Sequence, residues 1–135
     1  MRTKIIGQQL IELERVDSTN KHAAELLAQR KVAHGAVILA HEQTDGRGQR
    51  GRIWRSGANL DLTISVVLQF EHLKAGEQFT LAKIASLAVH DVASSAMKVA
   101  VDRGSDPVRI KWPNDVLVDR RKVSGILIKN DIVGG

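Results

Sequence analysis

The 135-residue chain has no cysteine and no tyrosine, two prolines, and two tryptophans and two phenylalanines as its whole aromatic complement. Without cysteine there is no thiolate nucleophile, no disulfide framework and no Cys-ligated zinc site. A nucleic-acid surface built on stacked rings lacks the rings. No apolar run approaches the ~18 residues of a membrane span, the longest candidate being Ala36 to Ala40, and the opening MRTKIIGQQL lacks the apolar core of an export signal. The expectation is a soluble, cytoplasmic chain with no membrane partner. None of the five histidines shows a spacing such as H-E-x-x-H, and Ser124-Gly125 lacks a nucleophile elbow, so neither a metalloenzyme nor a triad is assigned.

What is present is ordinary for one globular domain: 43% hydrophobic and 26% charged residues, enough to bury a real core. The net charge of +5 is focused. Residues 45–55 and 109–122 each contribute +3, and the remainder is slightly negative. Two focused basic windows, the first of them glycine-rich, are suited to an anion, either a phosphate-bearing small molecule or a nucleic acid.

Alternation at Ile11 to Val16 predicts a strand, and Asp17 and Ser18 offer caps for a helix from about Ser18 to Lys31. Val37 to Ala40 reads as a second strand, followed by a polar loop from Glu42 to Gly57. Leu60, Leu62, Ile64, Val66, Leu68 and Phe70 alternate with mostly polar residues, which predicts a long strand with its apolar face inward. A broad apolar face including Phe79, Ile84, Leu87, Val92 and Met97 predicts a long buried helix from about Glu77 to Ala100. Three short strands follow, at Val108 to Trp112, Val116 to Val118 and Val123 to Ile128. They are too closely spaced for helical crossovers, so the class is α+β with a mixed, mostly antiparallel sheet and packed helices.

Gly46, Gly48 and Gly51 satisfy G-x-G-x-x-G, but a strand rather than a helix follows, which excludes a dinucleotide site. The V-A-I-K, H-R-D and D-F-G elements of a kinase are absent, as is the Gly-Lys-Ser/Thr of a Walker loop. Glycines that allow close backbone approach, interleaved with Arg47, Arg50 and Arg52, make an anion clamp; the alternative is a solvated basic loop, against which Trp54 argues.

Four segments in this order resemble the biotin protein ligases, which are related to lipoate ligases and more remotely to class II aminoacyl-tRNA synthetases. They are Asp17-Ser18-Thr19-Asn20; Gln43 with GRGQRGR at Gly46 to Arg52 and Trp54; KWPND at Lys111 to Asp115; and RKVSGILI at Arg121 to Ile128. The resemblance spans about residues 10–130 and implies a class II synthetase-like catalytic domain occupying 1–135. It also implies the reaction: biotin and MgATP form biotinyl-5′-AMP and pyrophosphate, and the acyl group passes to a lysine of a biotin carboxyl carrier protein.

By the same resemblance, Ser18, Thr19, Asn20 and Gln43 hold biotin, alongside Gly46, Arg47, Gly48, Arg50, Gly51, Lys122 and Gly125. Arg47, Arg50, Arg52, Trp54, Lys111, Asn114 and Lys122 face ATP or the adenylate. Lys122 matches the catalytic lysine, assisted by Arg50 and Asp115. Asp115 is open between Mg²⁺ or ribose contact, orientation of the acceptor amine, and an ordinary turn. Read alone, Lys122 is a solvated turn residue, Lys111 a strand residue facing solvent, and Ser18 a helix cap.

Gln49 replaces an arginine frequent in the family's loop, and Lys129 a usual glutamate. The chain ends at Asp131 to Gly135 where the family's catalytic domain continues, commonly into an SH3-like domain, and no helix-turn-helix precedes the first strand. The expectations are an incomplete domain without operator binding, a strand beginning at Ile132 and Val133 without a partner, a sheet made by Leu60 to Phe70 and Val123 to Ile128 with an uncovered face or edge, and marginal stability or a homodimer. Competing readings are a lipoate or octanoate ligase or transferase, a basic nucleic-acid-binding module, and an inactive fragment.

Overall fold

A computed structural model describes residues 4–73, 77–100 and 107–131. The elements run β1(Leu10–Leu13), α1(Thr19–Ala28), β2(Val37–Ala40), a 3-10 turn at Gln49–Gly51, β3(Thr63–Val66), α2(Gln78–Ala100), β4(Val108–Lys111), β5(Asp115–Val118) and β6(Arg121–Gly125). This is the order the sequence predicts, and the α+β class holds. The expected strand at Ile132 and Val133 lies outside the described residues. The chain divides into two compact units, Met1–Glu71 and His72–Gly135.

In the first unit β1 and β2 are parallel, joined through α1, and β3 adds antiparallel to β2 in the order β1-β2-β3. Ala23 of α1 packs with Val32, Ala36, Ile38 and Val67, flanked by Ile11, Leu13, Leu26 and Leu27. Ile38 is fully buried on the central strand and alone contributes about 2 kcal/mol of hydrophobic stabilisation.

The longest alternating run behaves against expectation. Only Thr63–Val66 pairs as a strand, and the residues it buries are Ser65 and the adjoining Val67, while Leu60, Leu62, Ile64, Val66, Leu68 and Phe70 are exposed. The period was legible but the inward face was not, because α1 covers the odd-numbered side. Nor does this strand share a sheet with the segment from Val123, which lies in the second sheet. An exposed apolar row of this length promotes concentration-dependent association. Sedimentation velocity is expected to show self-association that Leu62→Lys reduces; a monomer at all concentrations would count against it.

In the second unit β4-β5-β6 is an antiparallel meander. Val108, Val116 and Ser86 of α2 are its fully buried side chains, the small serine permitting close approach of helix to sheet. The helix matches its predicted extent but is not buried throughout: Phe79, Ile84, Leu87 and Val92 are exposed, and the covered stripe runs through Ala82, Ala85, Ser86, Val89 and Ala93. The predicted apolar face is wider than the stripe that two short strands can cover.

Candidate active site

Each unit carries one constellation of the residues singled out by the sequence. In the first, backbone bonds continue the β1/β2 pairing beyond the strands: Val16 N–H donates to Glu42 O at 3.0 Å, Thr44 N–H to Val16 O at 3.0 Å and Asp45 N–H to Asp17 O at 2.8 Å, around a parallel Val16–Gln43 bridge. This zipper brings Gln43 to the first turn of α1. There Gln43 Oε1 accepts from Thr19 N–H at 2.7 Å and from Thr19 Oγ1 at 3.0 Å. The first amides of a helix lack intrahelical acceptors, and Gln43 supplies one. Ser18 occupies the N-cap with extended backbone but makes no side-chain cap bond, so the expected serine cap is replaced by a glutamine from a distant segment.

Asp17 anchors the same turn by accepting from Ser18 N–H at 2.7 Å and from Lys21 Nζ. The Lys21 hydrogen bond, followed by that of Ser18 N–H, holds the Asp17 carboxyl below the ordinary carboxylate range. The pair is solvent-exposed and its effect is local ordering. From β3, Ser65 Oγ reaches Thr19 Oγ1 at 2.8 Å and Asn20 Oδ1 at 2.7 Å.

The glycine-rich segment is an ordered arch. Trp54 N–H donates to Gly46 O at 2.9 Å and Gly48 N–H to Arg52 O at 2.7 Å, with an antiparallel Arg47–Ile53 bridge between them. Arg50 (φ 56°) and Gly51 (φ 74°) turn the tip through the left-handed region, which costs a non-glycine residue roughly 1 kcal/mol. Arg47 is ion-paired to Asp45 at 2.9 Å, so its charge is partly neutralised inside the arch. Arg50 and Arg52 are exposed and have no ion-pair partner among the described residues. Two guanidinium forks are thus solvent-facing in this segment.

In the second unit, Trp112 packs edge-on against Phe79 at 4.8 Å between centroids, ahead of a cis Trp112–Pro113 peptide. Pro113 O accepts from Ser86 Oγ at 3.4 Å, and Asn114 O from Ile126 N–H at 2.8 Å. These contacts deliver Asp115 to the start of β5, opposite Lys111 on β4 and Gly125 on β6. Glycine there places no side chain beside the carboxylate.

Lys122 reaches this face because of an irregularity. The β5/β6 pairing runs Asp115↔Gly125, Val116↔Ser124, then Leu117↔Lys122, leaving Val123 as an extra residue. Strict alternation from Gly125 would put Lys122 on the opposite face; the bulge shifts the count by one, and Lys122 sits opposite Leu117, on the side of Asp115. Its Nζ lies 2.7 Å from Asp115 Oδ1, with the lysine side chain 41% and the aspartate 17% exposed. Lys122 is therefore a strand residue holding a half-sheltered carboxylate rather than a solvated turn residue. Lys111, exposed on the neighbouring strand, does extend to solvent as its alternation suggests.

Sequence reasoning missed two positions: Ser65, whose only signal was a hydroxyl on the minority face of an alternating strand, and Val123, whose role as a bulge has no local signature. Among the described residues there is no group of three or more His, Cys, Asp or Glu that could hold a metal ion, and no helix is long and apolar enough to cross a membrane.

The first unit thus carries a hydrogen-bonded polar cluster at the start of α1 and a glycine–arginine arch, and the second a bulge-positioned lysine–aspartate pair. The chain belongs to the Biotin/lipoate A/B protein ligase family, whose sequence model matches residues 12–134. It is 39% identical over 119 residues to the biotin--[acetyl-CoA-carboxylase] ligase of Paracoccus denitrificans, covering 87% of this chain and 45% of that one. It is 34% identical over 128 residues to the bifunctional ligase/repressor BirA of Bacillus subtilis, covering 94% and 36%. The fold is similar to the biotin protein ligase of Leishmania major in complex with biotinyl-5-AMP, with TM-score 0.77, 29% identity and coverage of 93% of this chain and 53% of that one. It is also similar to the Aquifex aeolicus enzyme in complex with biotin and ATP, with TM-score 0.68, 33% identity and coverage of 90% and 46%. The chain spans between about a third and a half of the length of these relatives.

Proposed function

We propose that this chain carries a biotin-activating site that forms biotinyl-5′-AMP from biotin and ATP and passes the biotinyl group to a lysine of a biotin carboxyl carrier protein. The observation that carries the reading is the Lys122–Asp115 pair on its bulge, within a sequence that matches the family over residues 12–134. The relatives solved with biotinyl-5-AMP and with biotin and ATP support it.

In this reading a carboxylate oxygen of biotin attacks the α-phosphorus of ATP, the bond to the β-phosphate oxygen breaks, and pyrophosphate leaves. The carboxylate is already ionised at neutral pH, so no base is required; cations must offset the charge that builds on the phosphoryl oxygens. Lys122 bridges biotin carboxylate and α-phosphate, and Arg50 and Arg52 hold the phosphates. Asp115 keeps the ammonium of Lys122 in place until substrates arrive. Ser18, Thr19, Asn20 and Gln43 hold the polar end of biotin, and the arch shields the mixed anhydride from water. The acceptor amine then attacks the acyl carbon, the acyl C–O bond to the phosphate breaks, AMP leaves and the amine proton passes to solvent. Mg²⁺ bound with ATP would neutralise phosphate charge, and Asp115 is the residue that would help to hold it. The reaction belongs in the cytoplasm, where ATP and carrier are available.

ATP–pyrophosphate exchange tests the first step without the carrier. Exchange with biotin is expected to exceed that with no acid at least about tenfold. Preference for lipoate or octanoate would change the substrate, and no exchange with any acid would overturn adenylation by this chain.

A further inference from the structure

Ser65 is a hydroxyl on β3 that the reaction scheme does not use, yet it is only 6% exposed, beneath the first turn of α1. Its neighbour Thr19 is 3% exposed. At the same depth a valine would add apolar burial but would leave Thr19 Oγ1 and Asn20 Oδ1 without the Ser65 hydroxyl. The serine is retained where it meets two polar groups.

We propose that Ser65 is a positioning residue that sets the polarity of the biotin-facing amides, an inference that rests on the biotin reading above. Thr19 N–H is an unambiguous donor, so the Gln43 atom 2.7 Å away is oxygen, and it also accepts the Thr19 hydroxyl proton. With that proton committed, Thr19 Oγ1 faces Ser65 as an acceptor at 2.8 Å. Asn20 Oδ1 is a second acceptor at 2.7 Å. Ser65 Oγ, with its single proton, lies within hydrogen-bonding distance of both, and the serine pins both side chains. Gln43 and Asn20 are thereby held oxygen-inward, leaving their amide nitrogens as the ends offered to a ligand. Gln43 Nε2 lies on the side of Gly46, at 3.0 Å from where a β-carbon would stand, so this donor end adjoins the arch. A wall of donors selects a ligand whose polar end is an acceptor, such as the ureido carbonyl of biotin, over one presenting N–H at the same place.

The test compares Ser65→Val with Ser65→Thr, which add nearly the same volume and differ in the hydroxyl. Calorimetric titration of the 135-residue chain with biotin and with 2-iminobiotin, whose ring carries an imino group in place of the carbonyl, reads the polarity directly. The preference for biotin over 2-iminobiotin is expected to fall about five- to tenfold in Ser65→Val and to be preserved in Ser65→Thr. Equal preference in the two variants would overturn the proposal. Hydrogen exchange at the Thr19 amide, followed by NMR, requires no ligand and is expected to be about fivefold faster in the valine variant than in the threonine variant. If the parent chain does not bind biotin, the functional reading fails, while the amide exchange still decides the relay: equal rates overturn it.

Discussion

Lys122→Ala is expected to lower biotin-dependent pyrophosphate exchange by about two orders of magnitude or more, a barrier increase of about 2.7 kcal/mol. The size follows from where Lys122 acts. An ammonium that meets the α-phosphoryl oxygens as charge accumulates stabilises the transition state more than the bound substrates, so kcat should fall further than KM rises. Stability should respond much less. The Lys122–Asp115 pair is part-exposed on the lysine side, and such pairs contribute about 1 kcal/mol or less, so the melting temperature is expected to drop by no more than about 5 °C. Near-normal exchange in a folded variant would remove Lys122 from the mechanism. A collapse in melting temperature matching the loss of exchange would make its role structural.

A second large effect is expected from Gly46→Ala, and its argument is steric. A β-carbon on Gly46 would stand 2.6 Å from Trp54 O and 3.3 Å from Trp54 Cβ, on the buried side of the arch. Backbone cannot rotate away as a side-chain tip can, so the Trp54 N–H···Gly46 O closure must open. Forced overpacking of this kind costs about 1–3 kcal/mol, and exchange is expected to fall roughly ten- to a hundredfold. Gly48→Ala in the same arch is the control. Its added carbon would meet Arg52 O at 3.5 Å, an ordinary contact, and activity should stay within about threefold of the parent. Similar losses in both variants would mean that the arch needs glycine for flexibility rather than for the Gly46–Trp54 approach.

The proposed site depends on backbone irregularities as much as on side-chain identity. Arg50 is held left-handed at the tip of the arch, Val123 is an unpaired residue in β6, and Gln43 caps a helix that begins 24 positions earlier. Each moves a polar group to a place regular structure would not put it. The arch presents solvent-facing guanidinium groups, the bulge turns an exposed lysine toward a sheltered carboxylate, and the remote cap orients an amide.

Element order and type were legible in the sequence, since periodicity, caps and turn residues act over a few neighbours. The motifs around Ser18, Gly46, Lys111 and Lys122 were legible for the same reason, and with them the family. What the tertiary structure alone decided was which face met which. The alternation from Leu60 to Phe70 states that one side is apolar, but the side that is buried is the one under α1, and Ser65 and Val67 lie there. A period of two is unchanged by exchanging the faces; only the packing partner distinguishes them. The same holds at Val123. Nothing in Arg121 to Gly125 announces an extra residue, because a bulge is a relation between two strands and exists only once β5 and β6 have paired.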